Sequence, residues 1–310
     1  MESIQIGHLS FDYPLIMSAA GMCKTLQLPP IRNLTKAFSA VVVGSITSDA
    51  RTGNTGQCED FTDDLYGLNS WGMPNGGVKS AEFVDGLHGP LANSVHPVIV
   101  SVAGFSASDY EYLIRKLACW GSGIEINLGC PNIRDDGSQH KIASFDPAYM
   151  AAIFEEIQQL QSIDEITTIG VKLSPYSDPG LLKEVAAVIA ESGIVHYVAT
   201  CNTFPNGIGF DISGKSRIQT DQAGWAGGIS GLAMNPISLS NAYQFRQALP
   251  ESIAVIRVGG VASAQDVIES YQIGCAGVQI GTAFAKTGVY IVREILVELA
   301  SIQSVQEEKS

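Results

Sequence analysis

Positive charge, paired cysteines and long apolar runs are all scarce in this chain. Eighteen Lys and Arg stand against 31 Asp and Glu, a net charge of −13. General electrostatics will not hold a polyanion on such a surface, so neither nucleic acid nor an anionic membrane is an expected partner. Six cysteines, Cys23, Cys58, Cys119, Cys130, Cys201 and Cys275, are scattered with no Cys-x-x-Cys among them. The histidines are not spaced as zinc ligands either, so no metal is expected. Thiols without a disulfide framework point to a reducing compartment, and the N-terminal Met1–His8 has no basic region leading into an apolar stretch. A cytoplasmic protein without a signal peptide is the expectation. No run approaches the roughly 18 apolar residues of a membrane span. No Gly-x-Gly-x-x-Gly follows the first predicted strand, so a separate dinucleotide domain is not indicated. No linker, low-complexity stretch or charge run divides the 310 residues, a length common for one α/β barrel.

What is present is a regular alternation. Apolar β-rich runs are predicted at Leu15–Ser18, Ala40–Gly44, Pro97–Val102, Gly123–Leu128, Thr167–Leu173, Val195–Thr200, Ala254–Val258 and Ala276–Ile280. Most are apolar throughout, as strands buried on both faces are. Amphipathic stretches follow at Ser108–Trp120, Asp146–Leu160, Gly180–Ser192, Pro236–Leu249, Ser263–Ile273 and Val289–Ser301. Ser106 and Asp178-Pro179 read as helix starts. Ser263-Ala264-Gln265-Asp266 resembles a capping box that stops one residue short of the usual acidic partner. Eight strands with helices between them predict a (β/α)8 TIM barrel, one domain over residues 1–310 with a frayed polar tail at about 303–310. Two long insertions, Ser48–Gly76 and Cys201–Ser230, follow strand ends and therefore belong on the catalytic face, where long loops are usually functional.

The strand ends carry the chemistry. Ile124-Glu125-Ile126-Asn127-Leu128-Gly129-Cys130-Pro131-Asn132 runs an apolar alternation into an Asn, then breaks it with Gly and Pro, leaving a thiol and two amides at the mouth of a strand. A capped strand end with an inert Cys is the bland alternative. The first strand ends in Ser18-Ala19-Ala20-Gly21, small enough for a ring system to approach the backbone. Gly259-Gly260 and Gly281-Thr282 follow the last two strands, where barrels grip phosphate through backbone N–H groups; simple chain turns are the alternative. Lys172 lies inside an apolar strand, so it needs a partner, either a ligand with delocalised negative charge or a carboxylate. A phosphorylated planar cofactor with a cation near one edge satisfies both features, and flavin mononucleotide (FMN) fits.

Together, Asn69-Ser70-Trp71-Gly72-Met73-Pro74-Asn75, Asn127-Leu128-Gly129-Cys130-Pro131-Asn132, Val171-Lys172-Leu173, Gly227-Gly228-Ile229-Ser230-Gly231 and Gly259-Gly260-Val261 resemble the class 1 dihydroorotate dehydrogenases over nearly the whole chain. The Cys, in place of Ser, separates it from the membrane-associated class 2 enzymes. The Asn206-Gly207 loop and the spacing look closest to class 1A, soluble homodimers that use fumarate. The resemblance implies an FMN barrel of pyrimidine biosynthesis in which Cys130 takes a proton from C5 of dihydroorotate and a hydride passes from C6 to flavin N5. A thiol, ordinarily ionising near about 8.5, can serve as that base where its surroundings lower the value. By the same resemblance, FMN would contact Ala19, Ala20, Gly21, Ser45, Asn127, Lys172, Cys201, Ser230, Gly231, Gly259, Gly260, Gly281 and Thr282. The small-molecule substrate would be held by Asn69, Asn127, Asn132, Asn202 and Thr203, with its carboxylate on the backbone N–H groups of Trp71, Gly72 and Met73.

The pattern departs from the family at four places. Gly44 stands where the family carries a lysine, in Val43-Gly44-Ser45-Ile46-Thr47. Trp71 replaces a Met, Gly129 replaces a Ser, and Ile133–His140 replaces the family's Gly-Lys-Pro-Gln. Lys24 and Arg51 are candidate replacement cations. The departures leave other functions open: a paralogue acting on a larger or less anionic substrate, and a non-catalytic FMN-binding barrel. A barrel binding a sugar phosphate or pyridoxal phosphate is a third.

Overall fold

The computed structural model describes residues 3–22, 34–79, 94–118, 120, 122–131, 134–135, 138–139, 141–160 and 167–307. Eight parallel strands close into a barrel in chain order: β1 (Ile16–Ser18), β2 (Ala40–Ile46), β3 (Val98–Val102), β4 (Gly123–Asn127), β5 (Thr168–Leu173), β6 (Tyr197–Thr200), β7 (Ala254–Val258) and β8 (Gly277–Ile280), with β8 pairing back onto β1. Each predicted strand is there, displaced by two residues or fewer at either end. Helices follow on the outside: α1 (Ala107–Leu117), α2 (Pro147–Gln158), α3 (Pro179–Ser192), α4 (Asn235–Ala248), α5 (Ala264–Gln272), α6 (Thr282–Thr287) and α7 (Tyr290–Glu307).

Two apolar cores result, because parallel strands carry side chains on both faces. The outer core packs strand residues such as Val41, Val100 and Ile126 against Leu113, Phe154, Val185 and Phe245 of the helices. The inner core fills the barrel with Leu15, Met17, Val42, Ile99, Tyr197 and Ile256. Room for the Tyr197 ring comes from Gly170, where a Cβ would lie 2.0 Å from the ring.

An antiparallel hairpin, Ser3–Ile6 with Leu9–Asp12, was not anticipated; it closes the lower end by adding Ile6 and Phe11 to the inner core. The helix caps work as their residues predict. Ser106 accepts from Asp109 N, and Asp178 accepts from Gly180 N and Leu181 N. The box at Ser263 is complete rather than one residue short: Asp266 occupies the third helical position and its side chain returns to the cap backbone. α7 continues to Glu307, since Gln and Glu sustain a helix and no Gly or Pro stops it. Among the described residues no helix is long and apolar enough to cross a membrane.

The two insertions are not plain loops. They pair with each other. Gly227–Ser230 runs antiparallel to Gly67–Asn69, matching Gly228 with Asn69 and Ser230 with Gly67. Phe204–Gly207 and Glu59–Asp60 complete a four-stranded sheet. This sheet roofs the C-terminal mouth of the barrel.

Candidate active site

A cavity of about 480 Å³ lies between the barrel mouth and the roof, within the range of small-molecule sites. Every predicted site residue that the structure describes lines it. Asn132, Lys24 and His140 lie outside the described residues.

One end of the cavity is made of backbone. Gly259 and Gly260 follow β7 with φ of 115° and 75°, a region that favours glycine. Gly260 packs so closely on the start of α4 that a Cβ would fall 2.5 Å from Asn235 N. Buried Arg257 braces this turn from outside the barrel. Its guanidinium donates to Ser238 Oγ, Ser270 Oγ and the carbonyls of Asn235 and Asp266, and Ser238 Oγ in turn donates to Gly259 O at 2.5 Å. Gly281 and Thr282 open α6 beside it, and Ala19, Ala20 and Gly21 complete the wall, with Ala19 N donating to Ile280 O.

The other end is made of neutral side chains. Asn127, the last residue of β4, donates from Nδ2 to Ser45 Oγ at 2.9 Å, and Ser45 shares a 2.8 Å hydrogen bond with Ser101. Asn127 Oδ1 accepts from Gly129 N and from Asn202 Nδ2. Tyr110 OH donates to the Asn127 carbonyl. Asn127 is thus held by four partners. Cys130, half-buried, follows three residues later on the same rim. Cys201 also lines the cavity but is buried; burial pushes its thiol up to about 12 against the pull of Lys172 and Arg257. Of these two thiols, Cys130 is the one whose setting leaves it accessible for proton transfer.

The roof loop is pinned from several sides. Asn75 Nδ2 donates to Met73 O and Thr47 Oγ1, while Asn75 Oδ1 accepts from Gly77 N. Asn54 Nδ2 donates to Ser70 O, and Gly72, with φ of 68°, lies where a Cβ would meet Asn54 Oδ1 at 2.4 Å. Met73 is left-handed at φ 57°. The Trp71 indole donates to Glu59, meets the Phe61 ring edge-on at 6.1 Å and covers Gly21. Across the roof, Arg217 grips Asp60 with two bonds of 3.2 Å, reaches Asp63 at 3.4 Å and lies over Tyr66.

Gly44 explains itself in this backbone. Its φ is 121°, and a Cβ there would lie 2.6 Å from the Ser101 carbonyl, so no side chain fits without moving the strand. Arg51 does not take over the site. It donates to Gly72 O and stacks over Phe105 at 4.8 Å, outside the cavity lining. Lys172 is buried, and its ammonium donates to Gln279 Oε1 at 3.1 Å.

Sequence reasoning missed several lining residues. Gln279 had a readable signal, a polar side chain inside the apolar run Gly277–Ile280. Phe61, Asp63 and Tyr66 had none, because they reach the cavity only through pairing of the two insertions, and Lys286 comes to it from α6.

The donor set suits FMN: glycine turns free of side chains at one end, a buried ammonium on the wall, and amide side chains opposite. A closed eight-stranded barrel with this donor set at its mouth fits the FMN-dependent oxidoreductases of TIM-barrel fold. The model of the dihydroorotate dehydrogenase family matches residues 1–302, and the chain belongs to that family. It is therefore an FMN-dependent oxidoreductase of the dihydroorotate dehydrogenase type. It is 28% identical to the dihydroorotate dehydrogenase (fumarate) of Trypanosoma cruzi, covering 95% of this chain and 90% of that protein. It is 30% identical to the catalytic subunit of the dihydroorotate dehydrogenase B (NAD(+)) of Staphylococcus carnosus, over 86% of this chain and 81% of that one. A dihydroorotate dehydrogenase structure from Eimeria tenella, in complex with ferulenol, superposes with a TM-score of 0.78 at 18% identity, covering 98% of this chain and 85% of that one; this likeness supports the fold alone.

Proposed function

We propose that this chain oxidises dihydroorotate to orotate with Cys130 as the base. The observation that carries the reading is the placement of Cys130, Asn127 and Lys172 on one cavity in a member of this family. FMN, when bound, supplies the hydride acceptor. Gly259, Gly260, Gly281 and Thr282 bind its phosphate through backbone N–H groups, and Ala19, Ala20, Gly21, Ser45, Cys201, Ser230 and Gly231 line the rest of its bed. Asn69, Asn127, Asn202 and Thr203 hold the pyrimidine's amide edges through neutral hydrogen bonds. The backbone of Trp71, Gly72 and Met73 receives the carboxylate, which is the role left for neutral donors when position 44 carries no side chain. Cys130 removes the C5 proton, a task worth about a hundredfold to ten-thousandfold in rate for a well-placed base. Fumarate is the electron acceptor, by likeness to the trypanosomal enzyme named for it. The protein works as a cytoplasmic homodimer in pyrimidine biosynthesis, each chain one FMN domain, with neither nucleic acid nor membrane as partner.

The test is anaerobic mixing of the yellow protein with dihydroorotate. Rapid bleaching of the flavin band, restored by fumarate, is the expected result. A spectrum unchanged by dihydroorotate but bleached by dithionite overturns the substrate assignment.

A further inference from the structure

Beneath the cavity floor the barrel holds two opposite charges that do not touch. Lys172 and Glu125 are both buried, the latter completely. Between them lies Gln279. Its Oε1 accepts from Lys172 Nζ at 3.1 Å, and its Nε2 donates to Glu125 Oε2 at 2.6 Å. The amide orientation follows from its neighbours, since an ammonium only donates and a carboxylate only accepts. Tyr197 OH donates to the same Glu125 oxygen at 3.2 Å, which leaves Glu125 Oε1 with no hydrogen-bond partner. Burial, and then the adjoining Glu125, push the Tyr197 phenol well above its ordinary range, so it remains a neutral donor. Lys172 and Gln279 line the cavity; Glu125 and Tyr197 do not.

A buried carboxylate with one bare oxygen is costly, and an ammonium on the far side of one amide is its natural partner. Direct pairing would satisfy both groups and would draw the ammonium down into the barrel. The interposed amide prevents this. It passes the interaction along a polarised chain while holding the cation at the cavity wall, where added negative charge on a ligand would be stabilised.

We propose that Gln279 is a positioning residue that keeps Lys172 and Glu125 apart, so that the Lys172 ammonium faces the cofactor with its charge only partly offset by Glu125. The inference rests on FMN occupying the cavity. It does not depend on which substrate is oxidised.

The experiment is a redox titration of FMN-loaded protein with dithionite and a reference dye. Gln279→Leu is expected to lower the flavin midpoint potential, because the ammonium turns toward Glu125 and away from the cavity. In a Lys172→Met background the same Gln279→Leu change is expected to shift nothing further. Glu125→Gln, which keeps the shape and the hydrogen bond, is expected to raise the potential by removing the competing anion. A Gln279→Leu protein with unchanged potential overturns the proposal, and so does an equal shift with Lys172 absent. Should Gln279→Leu fail to fold, Glu125→Gln decides alone, and an unchanged or lowered potential there is fatal. A colourless wild-type protein overturns both the flavin reading and this one. A yellow protein whose potential ignores these substitutions overturns only this one.

Discussion

The two ends of the cavity are built by opposite means. The end at β7 and β8 is backbone: glycine turns a few residues long, braced by Arg257. The end at β4 and the roof is side chains, brought together from Asn69, Asn127, Cys130 and Asn202. The first needs only the barrel to close. The second also needs two insertions some 150 residues apart to pair in register, Gly228 on Asn69. An end made of backbone follows from the scaffold alone, whereas an end made of side chains needs parts that the scaffold only supports.

Substitutions should separate the two ends. Cys130→Ser should slow flavin reduction by substrate by about a hundredfold to ten-thousandfold while FMN stays bound, read by anaerobic stopped flow and by the FMN-to-protein ratio. A normal rate at neutral pH would place the base elsewhere. Arg217→Leu leaves Asp60 without its partner and should cost about 3 kcal/mol, mostly as loosening of the roof. Thermal melts should fall and the substrate KM should rise, with FMN content unaffected. Gly260→Ala inverts that pattern. Its Cβ strikes the backbone at Asn235, an overpacking cost of about 1–3 kcal/mol. FMN affinity should drop roughly tenfold to a hundredfold, measured by FMN retention on dialysis, while the roof stays closed.

The smallest effect is acid dependence. Burial alone would raise the Asp60 carboxyl, but the bonds from Arg217 and Thr62 bring it down to about 2 from an ordinary 3.8. A carboxyl depressed in the folded state stabilises above its unfolded value and loses that contribution as pH falls. The Tm advantage of the wild type over Asp60→Asn should therefore be full above pH about 4 and vanish toward pH 2. A constant gap across that window would mean that the clamp with Arg217 is not electrostatic.

How far each part could be read from the chain follows from the range of the forces involved. Strands such as Ala254–Val258 announce themselves by continuous apolar runs, and Gly259-Gly260 by position after the seventh of them. Lys172 stood out because a charge within Ile169–Leu173 needs a partner. That Gln279, backed by Glu125, is this partner was not legible, since nothing local to residue 172 indicates which residue 107 positions away faces it across the barrel. The hairpin at Ser3–Asp12 escaped for a similar reason: it is short, and its apolar residues declare themselves only against the barrel floor.

By itself the sequence determined the number and order of the barrel strands, the caps that start several of the helices between them, and the residue types at each strand end. Those depend on spacing and on neighbours within a turn or a strand. Only the tertiary structure decided that the two insertions form one roof, that position 44 leaves no room for a side chain beside the Ser101 carbonyl, and that Lys172 and Glu125 are kept apart by one amide. These depend on closure of the barrel, which sets side by side groups that the chain keeps far apart.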